Sequence, residues 1–238
     1  MKYLGIVTVL LLLAIVSTAQ RTEVHFKGKM SKIGQEKRVD AEILVDTIQA
    51  KHLYALGPVE NLRGEIMVFD SKPFVAAITD SGEPALLKNQ KNLHAIFLVY
   101  ANVQQWDTLL IKEPVISMNA LQNSITAKAF LHGTDTAKAF PFLLIGKVKQ
   151  GSGHIMFKDP AVTEITPESL KVAKHINTFT EQMAQMLGFY SQHHQTVFTS
   201  QNSYVHVHYR LGNKYQAGHL DEVVFDDSVP LKLLLPKN

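Results

Sequence analysis

Tyr204-Val205-His206-Val207-His208-Tyr209-Arg210, followed by Gly212-Asn213 and then by His219, is the stretch that decides the fold of this chain. Its β-branched and aromatic residues read as a strand that turns and returns as a hairpin. Successive side chains on a strand point to opposite faces, which puts His206 and His208 on one face about 6.6 Å apart. Gly212-Asn213 suits a two-residue primed turn, and with that turn Leu211 pairs with Lys214. Counting back in antiparallel register sets His219 opposite His206 and Ala217 opposite His208. Three imidazoles then meet without a long loop. A three-histidine set with open coordination positions is the usual design of a catalytic zinc, whereas a structural zinc is normally closed by four protein ligands. The chain has no cysteine to close it.

Two histidines spaced by one residue on a half-exposed strand are common without any metal, so the opposed third histidine carries the argument. The chain holds eleven histidines, and the other eight (His25, His52, His94, His132, His154, His175, His193 and His194) form no comparable constellation. His193 and His194 are neighbours and would face opposite ways on a strand. Three imidazoles would also accept copper, nickel or cobalt. The 238 residues, 46% apolar and 19% charged, are enough for one sizeable globular domain or two intimate halves. A net charge of +3 with no long basic block argues against nucleic acid or an anionic membrane as principal partner. No glycine-rich dinucleotide or phosphate-loop pattern supports an organic cofactor.

The N-terminus reads as an address. Lys2 precedes an apolar stretch over residues 4–16, and Ser17-Thr18-Ala19-Gln20 puts small residues where a signal peptidase would cut. That stretch is short of the roughly 20 residues that span a bilayer. Residues 1–19 are therefore expected to be a removed signal peptide, with 20–238 a single exported domain, periplasmic or secreted, and no stable membrane insertion after processing. Without cysteine, no disulfide stabilises it. Residues 41–45, 64–69, 74–78, 95–101, 124–131 and 142–148 read as strands bounded by turn-forming residues. Thr166 with Pro167 predicts a helix start, and Leu170, Ala173 and Ile176 follow at helical spacing. Residues 183–190 read equally well as helix or strand.

A resemblance joins two distant segments. Asn202-Ser203-Tyr204-Val205-His206-Val207-His208, followed by Gly218-His219, resembles the metal hairpin of the α-acetolactate decarboxylase family, which has the form Gly-Tyr-His-Leu-His-Phe and then Gly-Gly-His with the same histidine spacing. Upstream, Leu56-Gly57 and Leu62-Arg63-Gly64-Glu65, running into Ile66-Met67-Val68-Phe69-Asp70, is similar to the family's Gly-Thr-Phe-x-x-Leu-Asp-Gly-Glu pattern. Gly188-Phe189-Tyr190 adds a weaker match, and order and spacing fit from about Val45 onward. The resemblance implies an α+β fold of two packed, mixed or antiparallel β-sheet halves with few helices. It implies conversion of acetolactate to acetoin and carbon dioxide at a zinc held by His206, His208 and His219. Glu65 matches the family's active-site glutamate, a proton carrier or additional metal contact. Losing carbon dioxide leaves electrons that a Lewis acid must help to hold, and a carboxyl group must then deliver a proton.

Three features depart from the family pattern. The family carries an active-site arginine in a strand of its middle region, and the equivalent stretch here, Lys149-Gln150-Gly151-Ser152-Gly153-His154-Ile155, has none. The family brings a second glutamate from a C-terminal tail, where this sequence reads Leu235-Pro236-Lys237-Asn238, and Arg63 stands where the family has aspartate. Arg210 and Arg63 are the candidates for the anion-binding role. Arg210 lies two residues beyond His208 and so on its face, and Arg63 shares a face with Glu65 if that segment is extended. Asp221 shares the face of His219 and is placed to orient a ligand imidazole through its ring N–H, whereas Glu222 faces the other way. The expected function is zinc-dependent decarboxylation of a small branched β-keto-α-hydroxy acid. Two alternatives stay open, a non-catalytic zinc-binding family member and a zinc-dependent enzyme acting on a different substrate, for instance through activated water. A homodimer is also left open.

Overall fold

Fourteen strands and three helices follow one another in a computed structural model whose described residues are 22–212 and 216–237. The expected signal peptide and Asn213 of the expected turn lie outside them. In chain order the elements are β1 (Val24–Lys27), α1 (Ser31–Gly34), β2 (Ile43–Leu44), β3 (Leu53–Pro58), β4 (Glu65–Phe69), β5 (Lys72–Ile78), β6 (Pro84–Lys88), β7 (His94–Ala95), β8 (Leu98–Asn102) and β9 (Trp106–Ile111). There follow α2 (Met118–His132), β10 (Phe140–Met156), α3 (Pro167–Ala173), β11 (Lys174–Tyr190), β12 (Val205–Leu211), β13 (Ala217–Phe225) and β14 (Leu231–Pro236).

Four of these elements differ from the sequence reading. Residues 124–131, expected as a strand, lie inside α2. The Ser117 hydroxyl caps that helix by accepting the Ala120 N–H, and Leu121, Ile125 and Ala129 recur every fourth residue on its buried side. The stripe buries apolar surface only as a helix, and it overrides the local β propensity. The strand expected at 41–45 shrinks to β2 before a 3-10 turn at Val45–Thr47, and the one expected at 95–101 divides into β7 and β8. The helix begun at Thr166 has the predicted start, with the Thr166 and Ser169 side chains each accepting the other's backbone N–H. It ends at Ala173, so Ile176 and residues 183–190 are strand.

Twelve of the strands form two six-stranded antiparallel sheets, ordered β1-β8-β3-β4-β5-β6 and β11-β12-β13-β10-β14-β9, and β2 pairs with β7 apart from them. In the second, β10 also pairs with β11 over nearly its whole length, from Phe140↔Tyr190 to Met156↔Lys174. Strands β10 to β13 therefore close on themselves, which removes the open edges they would otherwise present. Their closure needs a close approach at Gly153. A β-carbon there would lie 2.3 Å from both the His219 carbonyl oxygen and Tyr209 Cε1. One apolar cluster draws on both sheets, with Leu56, Met67, Val99 and Ala101 from the first and Leu143, Ile155, Leu187 and Phe189 from the second. Burying each of the larger of these side chains stabilises by about 1.5–3 kcal/mol. This packing brings the start of β4 against β12, and so Glu65 against the histidines.

Candidate metal centre

The hairpin register is β12 against β13 through His208↔His219, Tyr209↔Gly218 and Arg210↔Ala217. It corrects the expected register. His219 stands opposite His208, not His206, because the Leu211 N–H donates to the Gln216 carbonyl, which shifts the pairing by two residues. The slip is an even number of positions, and strand alternation leaves His206, His208 and His219 on one face.

His206 and His208 are buried, and their Nε2 atoms lie 3.0 Å apart. Ring centroids are separated by 4.8 Å for His206 and His208, 5.1 Å for His206 and His219, and 5.5 Å for His208 and His219. His208 Nδ1 is 3.1 Å from the Ile66 carbonyl oxygen. A carbonyl only accepts, so Nδ1 carries the hydrogen and Nε2 is left as a bare lone pair. His206 Nδ1 and His219 Nδ1 are buried without a partner at hydrogen-bond geometry. Burial first, and then the neighbouring imidazoles, hold His206 and His208 well below the usual histidine range. Both rings are therefore neutral, as metal ligands must be. The 3.0 Å separation is close to the roughly 3.3 Å edge of a tetrahedron drawn with zinc–nitrogen bonds of about 2.0–2.1 Å. The His206 and His208 pair is therefore spaced to share a divalent ion.

Glu65 opens β4 beside this point. Gly64, at φ +137°, makes the turn into the strand, and a β-carbon there would meet the Ala76 carbonyl oxygen at 2.4 Å. Glu65 is buried, its Oε1 accepts the Met156 N–H at 3.1 Å, and its Oε2 lies 3.8 Å from His208 Nε2. Burial pushes its carboxyl up to about 8, the Asp221 charge adds to that, and the Met156 N–H opposes it. The structure thus brings Glu65 together with the three histidines, which sequence spacing alone could not do.

The two arginines are placed differently. Arg63 is not extended, with φ −99° and ψ 21°. Its Nη1 donates to the Lys158 carbonyl oxygen at 3.1 Å, and its guanidinium lies 4.0 Å from the Phe157 ring centre, so it does not pair with Glu65. Arg210 donates to Gln185 Oε1 and lies over the Phe69 and Phe74 rings. Its side chain lines a groove of about 880 Å³ together with Lys72, Phe74, Lys88 and Gln185, and no histidine lines that groove.

His154, set aside in the sequence reading, belongs to the cluster, which corrects the inference that the other eight histidines stand apart. It lies opposite His219 on β10, with ring centroids 4.7 Å apart. Its Nδ1 is 2.9 Å from both Asp221 oxygens, and Lys174 Nζ reaches the same carboxylate at 3.2 Å. Asp221 Oδ1 is 3.6 Å from His219 Nδ1, so the carboxylate faces that imidazole. Burial works to raise the Asp221 carboxyl, but His154 and His219 outweigh it and hold it well below the usual carboxylate range. Burial, with the neighbouring His219 adding to it, lowers His154 to about 4 despite its bond to Asp221. Among the described residues, His154, His219 and Asp221 are the group whose ligand atoms all lie within 4.8 Å of one another, close enough to hold an ion, and His206 and His208 are not part of it. No local signal marked His154, because its partner strand is distant in sequence.

No family model and no curated protein matches the chain in sequence. Solved structures do match in fold. Acetolactate decarboxylase from Bacillus subtilis subspecies spizizenii superposes with a TM-score of 0.71 at 14% identity, covering 91% of this chain and 87% of that one. α-Acetolactate decarboxylase from Bacillus subtilis strain 168 gives 0.70 at 15% identity, covering 91% and 86%. A Staphylococcus aureus protein of unknown function, described as similar to α-acetolactate decarboxylase, gives 0.67 at 11% identity, covering 90% and 86%. At these identities the likeness establishes the fold, and the expected α+β arrangement of β-sheets with few helices is the observed one.

Proposed function

We propose that this protein is a metal-dependent carbon–carbon lyase of the acetolactate decarboxylase type, converting acetolactate to acetoin and carbon dioxide, with zinc held by His206, His208 and His219. The observation that supports this reading is the clustering of three imidazoles on one sheet face, with ring centres 4.8–5.5 Å apart, and the buried carboxyl of Glu65 beside His208. Zinc bound there supplies a Lewis acid for the ketone and hydroxyl oxygens of the substrate.

The remaining work falls to side chains. Loss of carbon dioxide breaks the bond between the carboxylate and the hydroxyl-bearing carbon, and the electron pair passes toward the adjoining ketone. Glu65 Oε2 is the group placed to return a proton to that carbon, which completes the hydroxyketone. The Met156 N–H fixes the other oxygen, so one carboxyl oxygen is held while the other is free to exchange its proton. The Phe97 ring, 6.1 Å from that of His206, helps to keep water out. Arg210, on the histidine face of β12, is assigned to attracting the anionic substrate. Arg63, bonded to Lys158, is left as a second cation near the start of β4. The leader read at residues 1–19 makes this an exported activity.

A second reading, a zinc-dependent enzyme for a different substrate, draws support from the two arginines, since each is bonded away from Glu65, to Lys158 and to Gln185. The test is acetoin release from racemic acetolactate by the purified protein, with zinc, after chelation, and with His208→Ala. Zinc-dependent acetoin above the spontaneous background, lost in the variant, is the expected result. A folded, zinc-loaded protein that releases none would overturn the decarboxylase and leave the second reading or a non-catalytic metal protein.

A further inference from the structure

The groove of about 880 Å³ beside Arg210 takes its walls from both sheets and from no histidine. Its volume lies in the roughly 300–1,000 Å³ range of sites that take small organic molecules. Strand geometry gathers its charge. On β5, Lys72 and Phe74 are two residues apart and share a face, and Lys88 on β6 pairs with Phe74 in register. From the second sheet come Arg210 on β12 and its register partner Gln185 on β11. The lining holds the cations Lys72, Lys88 and Arg210, and among the described residues it holds no aspartate or glutamate. Phe74, Leu86, Ile145 and Met183 make its apolar part.

Arg210 is the member of this lining whose geometry points to a ligand. It is held in place, because Nε and Nη2 both donate to Gln185 Oε1 and the guanidinium lies 4.5 Å from the Phe69 ring centre and 4.8 Å from that of Phe74. A guanidinium has five N–H donors. The two given to Gln185 leave both hydrogens of Nη1 and one of Nη2 without an acceptor among the described residues. These include the pair along the Nη1–Nη2 edge, which matches the two oxygens of a carboxylate. No carboxylate among the described residues pairs with Arg210, although it is half-buried. Such a charge has lost hydration that nothing in the chain restores, and an arriving anion meets a guanidinium already oriented.

We infer that the groove binds an organic carboxylate, with its two oxygens on the Nη1–Nη2 edge of Arg210, its apolar part against Phe74, Leu86 and Met183, and Lys72 and Lys88 adding to the attraction. The occupant is amphipathic. A small, wholly polar anion would leave the apolar lining wet, and a neutral apolar molecule would leave Arg210 without a counter-ion. Neither a histidine nor Glu65 lines the groove, so the site is separate from the metal centre and does not depend on an ion there. The attraction of a substrate anion assigned to Arg210 above acts through its charge at a distance, whereas this site uses the guanidinium edge in contact.

The experiment is calorimetric titration of the chelator-treated protein with octanoate, acetate and octan-1-ol. With metal removed, no carboxylate binds by ligating an ion. Octanoate should bind at one site, and acetate and octan-1-ol should each bind at least about tenfold more weakly, one lacking the apolar contact and the other the charged hydrogen bonds. Octanoate affinity should also fall at least about tenfold in Arg210→Ala. No octanoate binding by the wild type, an octan-1-ol affinity equal to that of octanoate, or an Arg210→Ala affinity within about twofold of wild type overturns the inference. The comparison of the three ligands needs no variant to fold. Loading with Zn²⁺ separates this site from the metal reading: octanoate affinity should stay within about twofold, and a larger rise would place the carboxylate on the ion and overturn the groove. A protein that binds octanoate but no zinc keeps this inference while the metal reading fails.

Discussion

Glu65→Gln in the protein stripped of metal should reverse a pH-dependent weakness built into the centre. The folded carboxyl titrates at about 8 and its ordinary value is 4.5, so between these limits the folded state holds a proton that the unfolded state has released. Stability must therefore fall as pH rises through that window, with the whole contribution lost above the folded value. At about 1.36 kcal/mol per unit, raising the pH from 6.5 to 8.5 removes about 2 kcal/mol, because the charge becomes fully expressed only once the folded group also titrates. Glutamine has no such titration, and its side-chain oxygen can still accept the Met156 N–H. The histidines titrate alike in both proteins, so the difference between wild type and variant isolates Glu65. Urea unfolding of the chelator-treated proteins at both pH values is the assay. The stability difference should shift by about 2 kcal/mol in favour of Glu65→Gln at the higher pH. A difference that stays flat across the window would refute the buried, uncompensated carboxyl on which this rests.

Three further outcomes follow from particular contacts. Ile125→Ala, on the buried stripe of α2, should cost about 2–4 kcal/mol by urea unfolding, and a value near zero would contradict the helix at 118–132. Ser117→Ala should cost about 1 kcal/mol by the same measurement, since it leaves the Ala120 N–H without its acceptor. Gly153→Ala places a methyl 2.3 Å from the His219 carbonyl oxygen and should force β10 and β13 apart. The expected cost is about 1–3 kcal/mol or more, read by thermal unfolding and accompanied by weakened metal binding, and a neutral result would contradict the close approach.

The local sequence determined what strand and helix geometry determine by themselves. Alternation alone puts His206 and His208 on one face, and because the register slipped by an even step, His219 stayed with them although its expected partner was wrong. The helix start at Thr166 was legible because capping is a matter of a few adjacent residues. The strand misread at 124–131 was not, since Leu121, Ile125 and Ala129 choose a helix only when there is a core for them to face. Glu65 was marked by resemblance alone, and only the packing of one sheet against the other buried it 3.8 Å from His208. Arg63 was turned away from Glu65 by a backbone that is not extended there. His154 lies 65 residues from His219 in the chain but opposite it in the sheet, and Asp221 binds it only because a bulge turns the carboxylate inward. The sequence set the side-chain types and their faces, which depend on neighbouring backbone bonds. The tertiary structure decided which faces met and how far they were closed to water, because strand pairing between distant segments and burial are properties of the whole chain.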